Sequence, residues 1–134
     1  MVEKIEHNNI ILAIIIKANY KKEGISFFTP NDFSQQLGYM NRSKGYIIDP
    51  HVHRLVDRKV TLTQEVLYVK SGKVLVNFYD DDKNYLENRT ISSGDVILLA
   101  SGGHGFEMLE DSELIEIKQG PYAGDEDKIR FKPH

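Results

Sequence analysis

The 134-residue chain contains no cysteine, and this absence excludes disulfide bonds and thiolate metal ligands. Any bound metal must therefore be held by histidine, aspartate, glutamate or water. Clusters of basic residues larger than adjacent pairs are also absent, and the net charge is −3, which argues against a general nucleic-acid-binding protein. The longest apolar run, Ile10–Ile16, is far too short to span a bilayer. We therefore expect a cytoplasmic protein that binds neither nucleic acid nor a membrane.

The sequence does contain many short, strand-like runs that are separated by turn residues. Its length suits one domain, residues 1–134, and no repeat or linker divides it. A short helical turn is predicted near residues 31–37, and an irregular tail over 119–134. These patterns predict an all-β sandwich or barrel. Strands are predicted at residues 10–18, 25–29, 39–41, 45–54, 60–70, 74–79, 85–91, 95–100, 104–109 and 113–118.

Two histidines and a glutamate form a candidate metal site. His51 and His53 are two residues apart, so on a strand both imidazoles leave the same face. Glu65 opens a second strand-like run that ends at Gly72. Two imidazoles and one carboxylate that converge from paired strands suit a divalent metal such as iron, manganese, nickel or zinc. For a histidine taken alone, an exposed or core residue is the favoured interpretation, but the shared face of His51 and His53 reverses this preference for the pair.

The spacing of these residues resembles the two motifs of the cupin family. Over residues 45–72, Gly45, His51, His53, Glu65 and Gly72 follow the order of the first motif. The resemblance implies a double-stranded β-helix (jelly-roll) cupin barrel. Residues 94–108 are similar to the second motif, since Gly94-Asp95 leads through an apolar strand and a glycine-containing turn to His104. The metal ligands that the resemblance implies are His51, His53, Glu65 and His104.

The chain departs from the family pattern in three ways. Eleven residues, 54–64, separate His53 from Glu65, where the family usually has three or four. A lengthened hairpin that turns near residues 57–59 would still return Glu65 to the histidines. In the second motif, Ala100 replaces the usual proline, and His104 comes one residue early relative to the glycine of that turn. The asparagine that usually comes late in this motif is absent, and Met108 stands near its place.

Further residues are expected around the metal because of their strand parity or their position. Ile47 and Asp49 share parity with His51, and Leu67 shares it with Glu65. Phe106 and Met108 share parity with His104. Mostly apolar residues around a few polar groups are typical of a small-molecule pocket as well as of a core. The expected pocket-lining residues are Ile47, Asp49, Leu67, Phe106 and Met108. Possible residues of the pocket rim are Tyr39, Arg42 and Tyr122.

The resemblance leaves several functions open. A metal-dependent enzyme on a small carbohydrate-like or polar substrate is favoured, either an isomerase or epimerase or a dioxygenase. The alternatives are a non-catalytic small-molecule-binding cupin and a metal-free sugar-nucleotide cupin, in which the histidines act as acid and base. No catalytic base is evident in the sequence. Because Ile10–Ile16 is more apolar than a half-exposed strand requires, we also predict a homodimer.

Overall fold

The computed structural model of the chain describes residues 1–134 and contains ten antiparallel strands. The one helical element is a four-residue 3₁₀ turn at Gly124–Asp127. None of the helical structure is long and apolar enough to cross a membrane. The strands are β1 Val2–His7, β2 Ile10–Ile16, β3 Gly24–Phe27, β4 Gly38–Asn41, β5 Glu65–Ser71, β6 Lys73–Tyr79, β7 Tyr85–Ser92, β8 Val96–Leu99, β9 Gly103–Met108 and β10 Glu113–Lys118.

The strands form two main sheets and a separate hairpin. The larger sheet has five strands in the order β1-β2-β8-β5-β10, and the smaller has the order β7-β6-β9. Strands β3 and β4 pair with each other alone. The all-β prediction is therefore confirmed. The sheets do not close into a barrel, and the jelly-roll arrangement remains a prediction.

The main core lies between the five-stranded and three-stranded sheets. Side chains at every second position of β5 and β6, such as Leu67, Val69, Val74 and Val76, are buried in one cluster with residues of β1, β2, β7 and β8. Successive side chains of a strand leave opposite faces, so every second residue is directed between the two sheets, which bury these faces against each other.

Strand β2 is buried on both of its faces, as its continuous apolar sequence predicts. Ala13 and Ile15 belong to the main core, whereas Ile14 and Ile16 form a second cluster with Leu37 on the other side of the sheet. The apolar run is thus explained within one chain. It no longer argues for a homodimer, which stays a prediction.

Buried Asp95 ties the turn between β7 and β8 to the end of β2. Its carboxylate accepts hydrogen bonds from the backbone N–H of Ala18 and Ser92 at 2.7 and 2.8 Å, and it pairs with Lys17 at 3.0 Å. Because all of these donors converge on one carboxylate, the Gly94-Asp95 part of the second motif has a structural role here.

Three features of the secondary structure differ from the sequence prediction. No helical turn forms over 31–37, because the Gln36 side chain donates to the carbonyls of Pro30 and Phe33 and so holds an irregular loop. Strand β1 was not predicted, since Glu3, Lys4 and Glu6 give it a polar sequence with a single fully buried side chain, Ile5. The third difference concerns residues 42–64, which form no strand, so that β5 begins only at Glu65.

Candidate functional site

Glu65 and His104 bring two of the four predicted ligands into direct contact. Glu65 lies on β5 beside Leu99 of β8, and His104 lies on β9 beside the core residue Phe78 of β6. Each side chain therefore shares the face of its sheet that is directed towards the other sheet. The distance from His104 Nε2 to Glu65 Oε1 is 2.8 Å, so this pair bridges the five-stranded and three-stranded sheets.

The pair is partly shielded from water, which strengthens its interaction. The side chains of Glu65 and His104 are 13% and 30% exposed. The hydrogen bond from His104 lowers the pKa of Glu65 to about 2, against the opposing effect of burial. A smaller lowering comes from a hydrogen bond with Glu116. Glu65 is thus a carboxylate at neutral pH, the form that binds a cation.

Glu116 and Lys118 of β10 complete a charged group that sequence reasoning missed. Lys118 lies opposite Glu65 in the strand register, and Glu116 lies opposite Leu67, on the same face. The hydrogen bond with Glu65 raises the pKa of Glu116, and burial raises it further. Along β10, Leu114, Glu116 and Lys118 lie on one face of the strand, and Ile115 and Ile117 lie on the other. The sequence shows this alternation, but only the pairing of β10 with β5 places Glu116 and Lys118 beside Glu65.

His51 and His53 lie apart from this pair. Both belong to the segment 42–64, and both are exposed, with their ring centroids 5.2 Å apart. The Nδ1 atom of His51 lies within hydrogen-bond distance, 2.9 Å, of the carbonyl oxygen of Asp49. Neither histidine forms a hydrogen bond or salt bridge with Glu65 or His104. Consequently no group of three or more histidine, aspartate or glutamate side chains is placed to hold a metal ion.

Three of the five predicted pocket-lining residues lie on the strands that carry Glu65 and His104, and the other two lie in the segment 42–64. Leu67 is buried in the main core, and Phe106 and Met108 share the face of β9 that carries His104. Phe106 and Met108 remain 38% and 50% exposed, because β9 pairs with β6 on one side and its other edge is open. Ile47 and Asp49 are exposed in the segment 42–64.

The predicted rim residues do not contact the Glu65–His104 pair. Tyr39 packs edge-on against Tyr20, with a centroid distance of 4.8 Å. The guanidinium of Arg42 lies 4.4 Å from the centroid of the Tyr46 ring, a cation–π contact within its own loop. Tyr122 is almost fully exposed.

The C-terminal tail crosses from one sheet to the other. It leaves β10 and is irregular apart from the 3₁₀ turn, as predicted. Asp127 accepts a hydrogen bond from Thr63, and the ring of Phe131 packs edge-on against Tyr79 at 4.9 Å. Phe131 also lies against Gly103, the residue before His104. The tail therefore passes beside the start of β9.

The fold and the pair define an antiparallel β-sheet protein in which a histidine and a glutamate join the two main sheets. Comparisons with protein families, curated proteins and solved structures gave no match for the chain. The likeness to cupins accordingly rests on the two motifs, at 45–72 and 94–108.

Proposed function

We propose that the chain is a metal-binding domain of the cupin type, in which His51, His53, Glu65 and His104 together hold a divalent ion. The contact between Glu65 and His104 carries the proposal, because it joins two donors that lie 39 positions apart in the sequence and on different sheets. One imidazole and one carboxylate suit iron, manganese, nickel or zinc.

The pair alone is an incomplete metal site. Protein sites for such ions usually have three or four protein ligands, and the pair supplies two. The residues as they stand do not fit a bound metal, because no third ligand lies beside the pair. In our proposal the missing donors, His51 and His53, arrive when part of the segment 42–64 docks beside β9.

The state of this segment supports docking. Residues 47–63 form no backbone–backbone hydrogen bond, and every residue from 42 to 62 is exposed. Several of these are large and apolar, including Ile47, Val52, Leu55 and Val56. An extended apolar segment is stabilised by pairing with a sheet edge, and an unpaired edge offers the required N–H and C=O groups.

The chain length permits this movement. The segment ends at Gln64, directly before Glu65, and Glu65 already touches His104 of β9. The eleven residues from 54 to 64 span up to about 35 Å when extended, more than enough to return His53 to the edge of β9. Pairing of residues 45–54 with β9 would place His51 and His53 on one face, together with Ile47 and Asp49.

Metal titration tests the proposal. We expect the protein to bind one equivalent of Zn²⁺ or Mn²⁺ in calorimetry, and the His51→Ala/His53→Ala variant to bind at least about tenfold more weakly. His104→Ala should weaken binding by a similar factor. The matched control is His7→Ala, because His7 lies on the β1 end near the terminus and is assigned no ligand role.

Hydrogen exchange distinguishes docking from binding to the pair alone. Amides in 47–54 should exchange rapidly without metal and become protected when metal is added, because docking supplies hydrogen bonds to β9. Metal binding that is lost in His104→Ala yet unchanged in His51→Ala/His53→Ala would contradict docking. The absence of metal binding to the unmodified protein would refute the proposed function.

The position of Glu116 favours an isomerase or epimerase over a dioxygenase. A proton-transfer enzyme needs a base near the substrate, and Glu116 offers an accessible carboxyl group beside Glu65 that is not among the four proposed ligands. The substrate class in this proposal is a small carbohydrate-like carbonyl compound. Incubation in D₂O with aldose and ketose phosphates should incorporate deuterium next to the carbonyl, and Glu116→Gln should abolish incorporation. Substrate binding without any exchange would favour the non-catalytic binding role instead.

A further inference from the structure

A separate cavity of about 510 Å³ lies beyond the ends of β5 and β8, away from the Glu65–His104 pair. Its walls come from the β1–β2 turn, the loop at 30–34, the segment 59–62 and the residues that follow β8. Ile10, Phe33 and Leu62 supply apolar surface. Phe33 also packs against the second core cluster, on the side of the five-stranded sheet that faces away from the three-stranded sheet. A cavity of this size suits a small organic ligand.

The buried side chain of Gln64 lines this cavity and has an unused donor. Gln64 is 3% exposed, and its Oε1 accepts hydrogen bonds from Ser34 Oγ and from the backbone N–H of Gln35. Because a backbone N–H requires an acceptor, these contacts determine which end of the amide is oxygen. Its Nε2 has one long contact, 3.5 Å to the carbonyl of Ala100, although an amide nitrogen carries two hydrogens. One N–H of this amide is therefore left without a partner, and Gln64 belongs to the cavity wall.

The charged groups of the cavity wall offset each other. Asp32 and Lys59 both line it, and each belongs to an exposed stretch of chain. An opposed pair of charges gives no net preference for an anion or a cation. The cavity is therefore expected to prefer a ligand that has mainly apolar surface and one hydrogen-bond acceptor within reach of Gln64.

We propose that this cavity binds a small, uncharged, mainly apolar molecule whose carbonyl group accepts a hydrogen bond from Gln64 Nε2. Gln64 and the Glu65–His104 pair lie on opposite faces of the sheet, but residues 59–62 of the cavity wall belong to the segment 42–64 whose docking is proposed above, so the site is proposed for the metal-free protein. Binding is accordingly measured in the presence of EDTA.

Two probes of nearly equal shape test the proposal by NMR titration of the ¹⁵N-labelled full-length protein. Acetophenone carries a carbonyl, and ethylbenzene lacks it. We expect acetophenone to cause saturable shifts at Phe33, Leu62 and the Gln64 side-chain amide, and ethylbenzene to bind about fivefold more weakly. Leu62→Glu should abolish binding of both probes. Its matched control is Leu55→Glu, in the same segment, because Leu55 is fully exposed and lies outside the cavity wall.

A change at Gln64 itself tests the hydrogen bond. Gln64→Glu retains an oxygen for Ser34 and Gln35 but removes the donor, so acetophenone should lose its advantage over ethylbenzene. If that variant fails to fold, the comparison of the two probes on the unmodified protein still tests whether the carbonyl group contributes to binding. Non-saturable shifts, equal affinities for the two probes, or equal effects of Leu62→Glu and Leu55→Glu would each overturn the proposal.

Discussion

Replacement of Asp95 by alanine is expected to destabilise the fold strongly, although Asp95 lies away from the candidate metal site. Asp95 is 3% exposed, and its two carboxylate oxygens accept from Ala18, Ser92 and Lys17. The Asp95→Ala change removes all three contacts at once. It also frees the turn before β8 from the end of β2, and those two strands are central in the larger sheet.

The expected cost is about 3 kcal/mol. Each of the two backbone N–H groups loses its acceptor, which costs about 1–1.5 kcal/mol per group in a partly buried setting. Lys17 is 30% exposed and regains water, so loss of the ion pair adds about 0–1 kcal/mol. This total is a large share of the roughly 5–15 kcal/mol that stabilises a typical domain. Asp95→Asn should cost nearly as much, because its NH₂ group would face one of the N–H donors.

Urea unfolding followed by far-UV circular dichroism measures this effect. Asp95→Ala should lower the midpoint without a change in the slope, since the surface exposed on unfolding stays the same. Asp81→Ala serves as the control, because Asp81 is exposed and has no described hydrogen bond through its side chain. A loss below about 1 kcal/mol in Asp95→Ala would refute the reasoning that these bonds hold the two segments together.

Three further changes test other parts of the structure. The folded-state pKa of Glu65 is about 2, below its usual 4.5, so its stabilising contribution is complete above pH 4.5 and is lost as the pH falls towards 2. The difference in unfolding free energy between the unmodified protein and Glu65→Gln should therefore shrink over that interval in urea titrations, and a constant difference would contradict this account. Gly72→Ala should cost about 2–4 kcal/mol in the same assay, because φ is +94° and an added Cβ meets backbone of the β9–β10 turn. Gly45→Ala, at φ +92° with open space around it, should cost about 1 kcal/mol, and equal costs would rule out the close contact. Phe131→Ala should lower the thermal midpoint by removing the tail's contact with β6, whereas Tyr122→Ala should leave it unchanged; no change in either would show that the tail is not anchored.

Local patterns in the sequence were sufficient for most strands. The short apolar-rich runs over 74–79 and 113–118, bounded by turn residues, predict β6 to within one residue and β10 with the observed bounds. Gly72 and Gly94 mark turns where the backbone adopts positive φ, a conformation that glycine adopts without strain. These signals are reliable because they depend on residues that are adjacent in the chain.

The segment 42–64 shows where local patterns were insufficient. The run 45–54 has the composition of a strand, yet a strand forms only where another strand supplies hydrogen bonds, and in this structure none pairs with it. The predicted turn near 57–59 therefore does not return His53 to Glu65. Whether these residues join β9 is the question that the metal titration and hydrogen exchange address.

The sequence by itself determined the all-β class, the position of most strands and the parity that directs Glu65 and His104 into the space between the sheets. It did so because side-chain direction alternates strictly with position along a strand. Only the tertiary structure decided the order of the strands, the contact between Glu65 and His104, the approach of Glu116 and the open edge of β9. These features depend on pairing between strands that are distant in sequence, and packing of the whole core selects that pairing.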